Sequence, residues 1–157
     1  MSQHYKHIES IAEHALKLID HDDAPIAINQ IAEKLGLKVI VFDFHNNISG
    51  ILKKDKKAIG VNKNHHPFRQ RFSVAHELAH FLLGHEGYED REFIDSNFDK
   101  PIPIEREANV LASYLLMPQA LIKKYVDQKM DIPALSKQFQ VSQQAMTIRL
   151  LEIGLIK

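Results

Sequence analysis

Pro67-Phe-Arg-Gln-Arg-Phe-Ser-Val-Ala-His-Glu-Leu-Ala-His-Phe-Leu-Leu-Gly-His85 decides how this chain reads. Phe68, Phe72, Ala75, Leu78, Ala79 and Leu82 recur at helical spacing, with Pro67 suited to a first turn and Gly84 to the position just past a C-terminus. Within this predicted helix stands His76-Glu77-Leu78-Ala79-His80, the H-E-x-x-H pattern. At about 100° per residue the two histidines lie roughly 40° apart in projection and one turn apart along the axis, so both imidazoles can reach one ion. Glu77 projects on the adjoining side, within reach of a water on that ion. Zinc on three protein ligands keeps a fourth position for water and lowers the pKa of that water toward about 7, where a carboxylate can take its proton. That is chemistry for hydrolysing a peptide bond. The bland alternative is a surface helix carrying two solvated histidines and an ordinary glutamate.

Such a site needs a third ligand. His85 is close in sequence, but nine residues from His76 is about 900° of helix, which turns it to the opposite face, and Gly84 should end the helix first. The spacing of H-E-x-x-H-x-x-G-x-x-H is absent. The better source is Glu105-Arg-Glu-Ala-Asn-Val-Leu-Ala-Ser-Tyr-Leu-Leu-Met-Pro118, predicted as a helix with two carboxylates. Glu105 shares a face with Ala108, Asn109, Ala112 and Leu116, the small and apolar side that can pack on the metal helix. Glu107 falls on another face and stands as the alternative ligand. Asn109, one turn beyond Glu105, is a candidate to orient a ligating histidine.

Composition limits the other possibilities. The chain has 157 residues, 20 basic and 20 acidic side chains, ten histidines and no cysteine, so one domain over residues 1–157 is expected, with 118–157 as a helical subregion. Without cysteine there are no disulfides, thiolate nucleophiles or iron–sulfur clusters, and any metal is held by nitrogen and oxygen. The N-terminal stretch lacks the basic-then-apolar order of a signal peptide. No apolar run approaches the roughly 20 residues that span a bilayer. A cytoplasmic protein without a membrane partner is the expectation, and neutrality argues against a surface wholly devoted to nucleic acid.

Outward from the central helix, Ile8, Ile11, Ala12, Ala15, Leu18 and Ile19 predict a first helix, and Asn29 to Gly36 a short second one ending on a glycine. Val39 to Phe42, Ile48 to Leu52 and Ala58 to Val61 predict three strands, the last two forming a hairpin around Lys53-Lys-Asp-Lys-Lys57 beside the first. Glu86 to Pro103 reads as a long acidic loop. Gln119 to Lys129, Pro133 to Phe139 and Ser142 to Ile153 predict three further helices. The expected class is α+β: a three-stranded sheet with six or seven helices. A peptide substrate is expected to pair with an exposed strand edge at Ala58 to Val61.

Phe72 to His85 followed by Glu105-Arg-Glu-Ala-Asn and Leu115-Leu-Met-Pro118 resembles the ImmA/IrrE family of zinc metallopeptidases, and the likeness covers most of the chain. Many relatives have Phe-Ala where this chain has Leu111-Ala112, a conservative change. The resemblance implies a zincin-like core with a gluzincin arrangement: zinc on His76, His80 and a glutamate of the following helix, with Glu77 as catalytic base. It also implies an intracellular protease that cleaves or inactivates helix-turn-helix repressors.

Leu135 to Leu150 itself resembles a helix-turn-helix, with Ser142 capping the second helix and Gln140 where a turn glycine is usual. Gln143, Gln144, Thr147 and Arg149 are of a type that reads DNA, making residues 135–150 the candidate for nucleic-acid contact. From residue 119 onward six basic residues meet three acidic ones, a modest excess for phosphate binding, and packing against the core is the favoured role. His65-His66 reads as a solvated turn, Lys53 to Lys57 as a solvated hairpin tip, and Tyr88, Tyr114 and His85 as candidates to stabilise an oxyanion.

Overall fold

The computed structural model describes residues 3–44, 47–85, 92–96 and 103–157. Among these, seven helices and four strands follow in the order α1 (Gln3–Leu16), α2 (Ile28–Lys34), β1 (Lys38–Phe42), β2 (Ile48–Lys53), β3 (Ala58–Asn62), α3 (Pro67–Leu83), β4 (Glu92–Ser96), α4 (Pro103–Leu116), α5 (Gln119–Asp127), α6 (Ile132–Phe139) and α7 (Gln143–Glu152). The α+β class is as expected. Gly36 takes φ +84° after α2, and Pro67 opens α3 while Gly84 caps it with φ 58° and ψ 43°.

The sheet has the order β1-β3-β2-β4. β2 and β3 form the antiparallel hairpin and β1 runs parallel to β3, so all three expected strands are present. The fourth is new. β4 pairs antiparallel with β2 inside the stretch read as a loop, where its two apolar residues, Phe93 and Ile94, are framed by Glu92 and Asp95 and carry no strand pattern of their own. The same order corrects the expected substrate edge. Ala58 to Val61 belongs to β3, which is paired on both sides, and among the described residues the edges are β1 and β4.

Period-two alternation gives the sheet its faces. Leu52, Ile59 and Val61 point into the core and are buried against α3. On the other face Phe42 and Phe44, with ring centroids 5.3 Å apart, lie over Gly60, where a Cβ would come within 3.0 Å of the Phe42 ring. Asn62 holds the exit of β3: its side-chain amide donates to Ile48 O at 2.8 Å, and its carbonyl accepts from Gln70 of α3 at 2.9 Å. Beneath the sheet α3 packs on α4, and α4 on α1. The C-terminal helices add Leu121, Ile122, Leu135, Phe139, Val141, Met146 and Leu150 to the same apolar core.

Candidate metal centre

His76, Glu77 and His80 sit in the buried middle of α3, with 7%, 0% and 0% of their surface exposed. Their burial removes the solvated-helix alternative. Glu105, in the first turn of α4, meets the histidines across the α3–α4 contact: His76 Nε2 lies 2.8 Å from Glu105 Oε2, His80 Nε2 3.0 Å from Glu105 Oε1, and the two Nε2 atoms 3.1 Å apart. Ligand atoms of His76, His80 and Glu105 all fall within 4.8 Å of one another. Two imidazole nitrogens and a carboxylate oxygen converging from two rigid helices fit the three-ligand set of a divalent metal such as zinc, with ligand bonds of about 2.0–2.2 Å.

Glu107 lies elsewhere. Its Oε2 is 3.8 Å from His85 Nε2, and it is not in the three-residue cluster. The two glutamates thus face different histidines, Glu105 toward His76 and His80 and Glu107 toward His85. Asn109 is exposed, whereas the nitrogen behind His80 faces His85: the two Nδ1 atoms are 2.8 Å apart. Sequence reasoning rejected His85 as a ligand and missed this contact. The signal was Gly84, whose left-handed conformation turns the chain back under the last helical turn. Burial, and next the His80 ring, hold the His85 pKa below the usual histidine value, while Glu107 acts in the opposite direction.

Gly50 is the second residue missed. A Cβ there would lie 3.1 Å from Glu77 Oε2 and 3.3 Å from Gly60 O, so glycine lets β2 lie this close to the Glu77 carboxylate without displacing it. A glycine inside a strand pattern signals such an approach. The ladder between β2 and β4 also shifts register between Ile48 and Gly50, and bulges recur beside active sites.

The remaining candidates divide. His66 is exposed and caps α3, its Nδ1 accepting from Phe68 N at 3.0 Å; His65 lies 3.5 Å from the Asn62 amide. Lys54, read as part of a solvated tip, donates to His85 O at 3.2 Å. Tyr114 is far from the cluster: its ring lies 4.5 Å from the Arg149 guanidinium, and it lines a cavity with α1 residues such as Glu9 and Glu13. Burial raises its pKa. Tyr88 lies outside the described residues.

The helix-turn-helix geometry is present at α6–α7. Gln140 adopts φ 56° in the turn, and Ser142 Oγ accepts from Ala145 N at 3.0 Å. Gln143 and Gln144 are exposed, but Thr147 Oγ1 donates back to Gln143 O at 2.8 Å. Arg149 is 6% exposed, and its Nε donates to Met117 O at 3.0 Å. Its placement as a DNA-reading residue is thus corrected: helical period puts it on the inner face of α7. Among the described residues no helix is long and apolar enough to cross a membrane.

A helix carrying two histidines one turn apart beneath a small mixed sheet, completed by a glutamate of the next helix, is the arrangement of a zincin-like metallopeptidase core. The chain belongs to the peptidase family described as the IrrE N-terminal-like domain, whose profile matches residues 32–151. It is 30% identical over 98 residues to "Uncharacterized immunity region protein 2" of Bacillus phage phi105, a match covering 61% of each chain. Among solved structures it is similar to a "Mycobacterium tuberculosis transcriptional regulator", with TM-score 0.63 and 18% identity over 96% of this chain and 47% of that one. The chain thus spans about three-fifths of the phage protein and about half of the regulator.

Proposed function

We propose that this chain is a zinc-dependent endopeptidase whose substrate is a regulatory protein, specifically a helix-turn-helix repressor. The observation that carries the reading is the convergence of His76, His80 and Glu105 within 4.8 Å beside the buried Glu77 carboxylate, in a chain of a peptidase family. In this reading His76 Nε2, His80 Nε2 and the Glu105 carboxylate hold the zinc ion. Bound zinc supplies Lewis-acid polarisation of the scissile carbonyl and acidifies water. Glu77 takes a proton from the attacking water on its carboxylate and returns it to the leaving amine, so that the C–N bond breaks as water is added across it. Gly50 holds Glu77 in place by letting β2 close over it. A regulatory setting is supported by the name of the phage relative, an immunity-region protein, and the helix-turn-helix repressor is what the resemblance to the ImmA/IrrE peptidases implies. β4, which adjoins β2 and is an edge strand among the described residues, is the strand against which an extended substrate segment would pair.

Metal content of the purified protein tests the site, and cleavage of a repressor encoded beside the gene tests the activity. About one zinc per chain is expected, absent from His80→Ala. Glu77→Gln should keep its zinc and its fold while cleavage falls by about 10²–10⁴-fold. A folded protein that takes up no zinc, or a Glu77→Gln variant with full regulatory function, would move the reading to a non-enzymatic binding protein acting through residues 135–150.

A further inference from the structure

We propose that His85 is a positioning residue for His80, selecting the ring nitrogen that presents its lone pair to the metal cluster, with Glu107 selecting in turn for His85. The inference rests on the reading of His76, His80 and Glu105 as a metal site.

The two Nδ1 atoms of His80 and His85 are 2.8 Å apart, so one proton lies between them. A neutral imidazole carries one donor and one acceptor nitrogen, which leaves two arrangements. If His80 donates, its Nε2 turns a lone pair toward His76 Nε2 and Glu105, and His85 keeps its own proton on Nε2. If His85 donates, the proton of His80 moves to Nε2, 3.0 Å from Glu105 Oε1, and the lone pair a metal needs is gone. Glu107 separates the two: its Oε2 lies 3.8 Å from His85 Nε2, and a carboxylate there favours the N–H at that atom. The first arrangement is thereby selected. Metal-binding histidines generally donate their second N–H to a carboxylate, backbone carbonyl or water; here an imidazole nitrogen takes that place.

The fold builds this contact deliberately. A helix continued through residue 85 would carry the ring to the far face, but Gly84 at φ 58° reverses the chain. Lys54 at the end of β2 then grips the His85 carbonyl at 3.2 Å. The ring is buried, with 8% of the residue exposed.

The test compares His85→Asn, which keeps an acceptor in its amide oxygen, with His85→Leu, which has a similar size and none. Zinc affinity is read by chelator competition, the metal environment by the visible absorption of the Co²⁺-substituted protein, and the fold by circular dichroism. The expectation is a zinc affinity lower by about 10- to 100-fold in His85→Leu, near-wild-type affinity and Co²⁺ spectrum in His85→Asn, and an intermediate loss in Glu107→Gln. Equal affinities for His85→Leu and His85→Asn would overturn the inference, because a space-filling role predicts them equal. Wild-type affinity in Glu107→Gln would overturn the part given to Glu107. Absence of zinc from the wild-type protein would instead sink the metal site itself, and the inference with it.

Discussion

Two glutamates two residues apart on α4 face different partners, and the difference is measurable. Glu105 meets both histidine Nε2 atoms at 2.8 and 3.0 Å, while Glu107 stands 3.8 Å from His85. Glu105→Gln should therefore abolish stoichiometric zinc binding, whereas Glu107→Gln should retain about one zinc per chain with weakened affinity, both read by elemental analysis after dialysis. The reverse order would make Glu107 the ligand. Gly50 gives a second prediction at this scale. A methyl group there meets Glu77 Oε2 at 3.1 Å and Cγ at 3.3 Å, which forces the carboxylate to shift by a few tenths of an ångström. Because catalysis is sensitive to such displacements, Gly50→Ala should lower cleavage by about tenfold or more with zinc content unchanged. Undiminished cleavage would show that Glu77 needs no such alignment.

Elements whose character is written in their own residues were legible in advance, and those set by distant partners were not. α3 announces itself through its apolar stripe, Pro67 and Gly84, and the His-Glu-Leu-Ala-His spacing could be turned into a site because helix geometry is regular. The partner glutamate followed for the same reason, since α4 is also periodic. β4 was invisible because its existence depends on pairing with β2. β3 was read as a strand yet misplaced at an edge, because strand order is decided by tertiary packing. His85 was hidden by its place just beyond a helix end, where one left-handed residue sets the direction of the chain. The α6–α7 turn yields a prediction of the same kind. Gln140 holds φ 56°, a conformation that costs a side-chain-bearing residue roughly 1–2 kcal/mol, while its N–H donates to Lys137 O at 3.3 Å whatever the side chain. After the greater chain entropy of glycine is set against this, Gln140→Gly should stabilise the protein by about 0.5–1 kcal/mol, seen as a higher denaturation midpoint in urea. A lower midpoint would mean that the Gln140 side chain makes contacts worth more than the strain.

At the scale of the whole molecule, the question is whether residues 118–157 form an appendage or a part of one folding unit, and we propose the latter. The links reach the loop between α1 and α2 and the end of α4. Tyr125 Oη accepts from Ala24 N at 3.2 Å, Gln138 donates to Ala24 O at 3.0 Å, and Arg149 Nε reaches Met117 O at 3.0 Å. Leu121, Ile122, Leu135, Phe139, Met146 and Leu150 are buried in the core that also contains α3 and α4, each contributing about 1.5–3 kcal/mol. Their combined contribution is of the same order as the roughly 5–15 kcal/mol by which a domain is normally stable, so a chain ending at residue 118 should fail to fold and to retain zinc. The gentler test is Arg149→Ala, which strips Met117 O of its charged donor beside a ring stacked at 4.5 Å. A buried hydrogen bond to a charged group contributes about 1.5–3 kcal/mol, and the variant should lose about that much. In one cooperative unit the loss appears as a single transition shifted to lower denaturant, with fluorescence and circular dichroism coincident and zinc released at the same midpoint. Two separated transitions, the earlier one sparing zinc, would make the C-terminal helices a module of their own and restore them as a candidate for independent binding of nucleic acid.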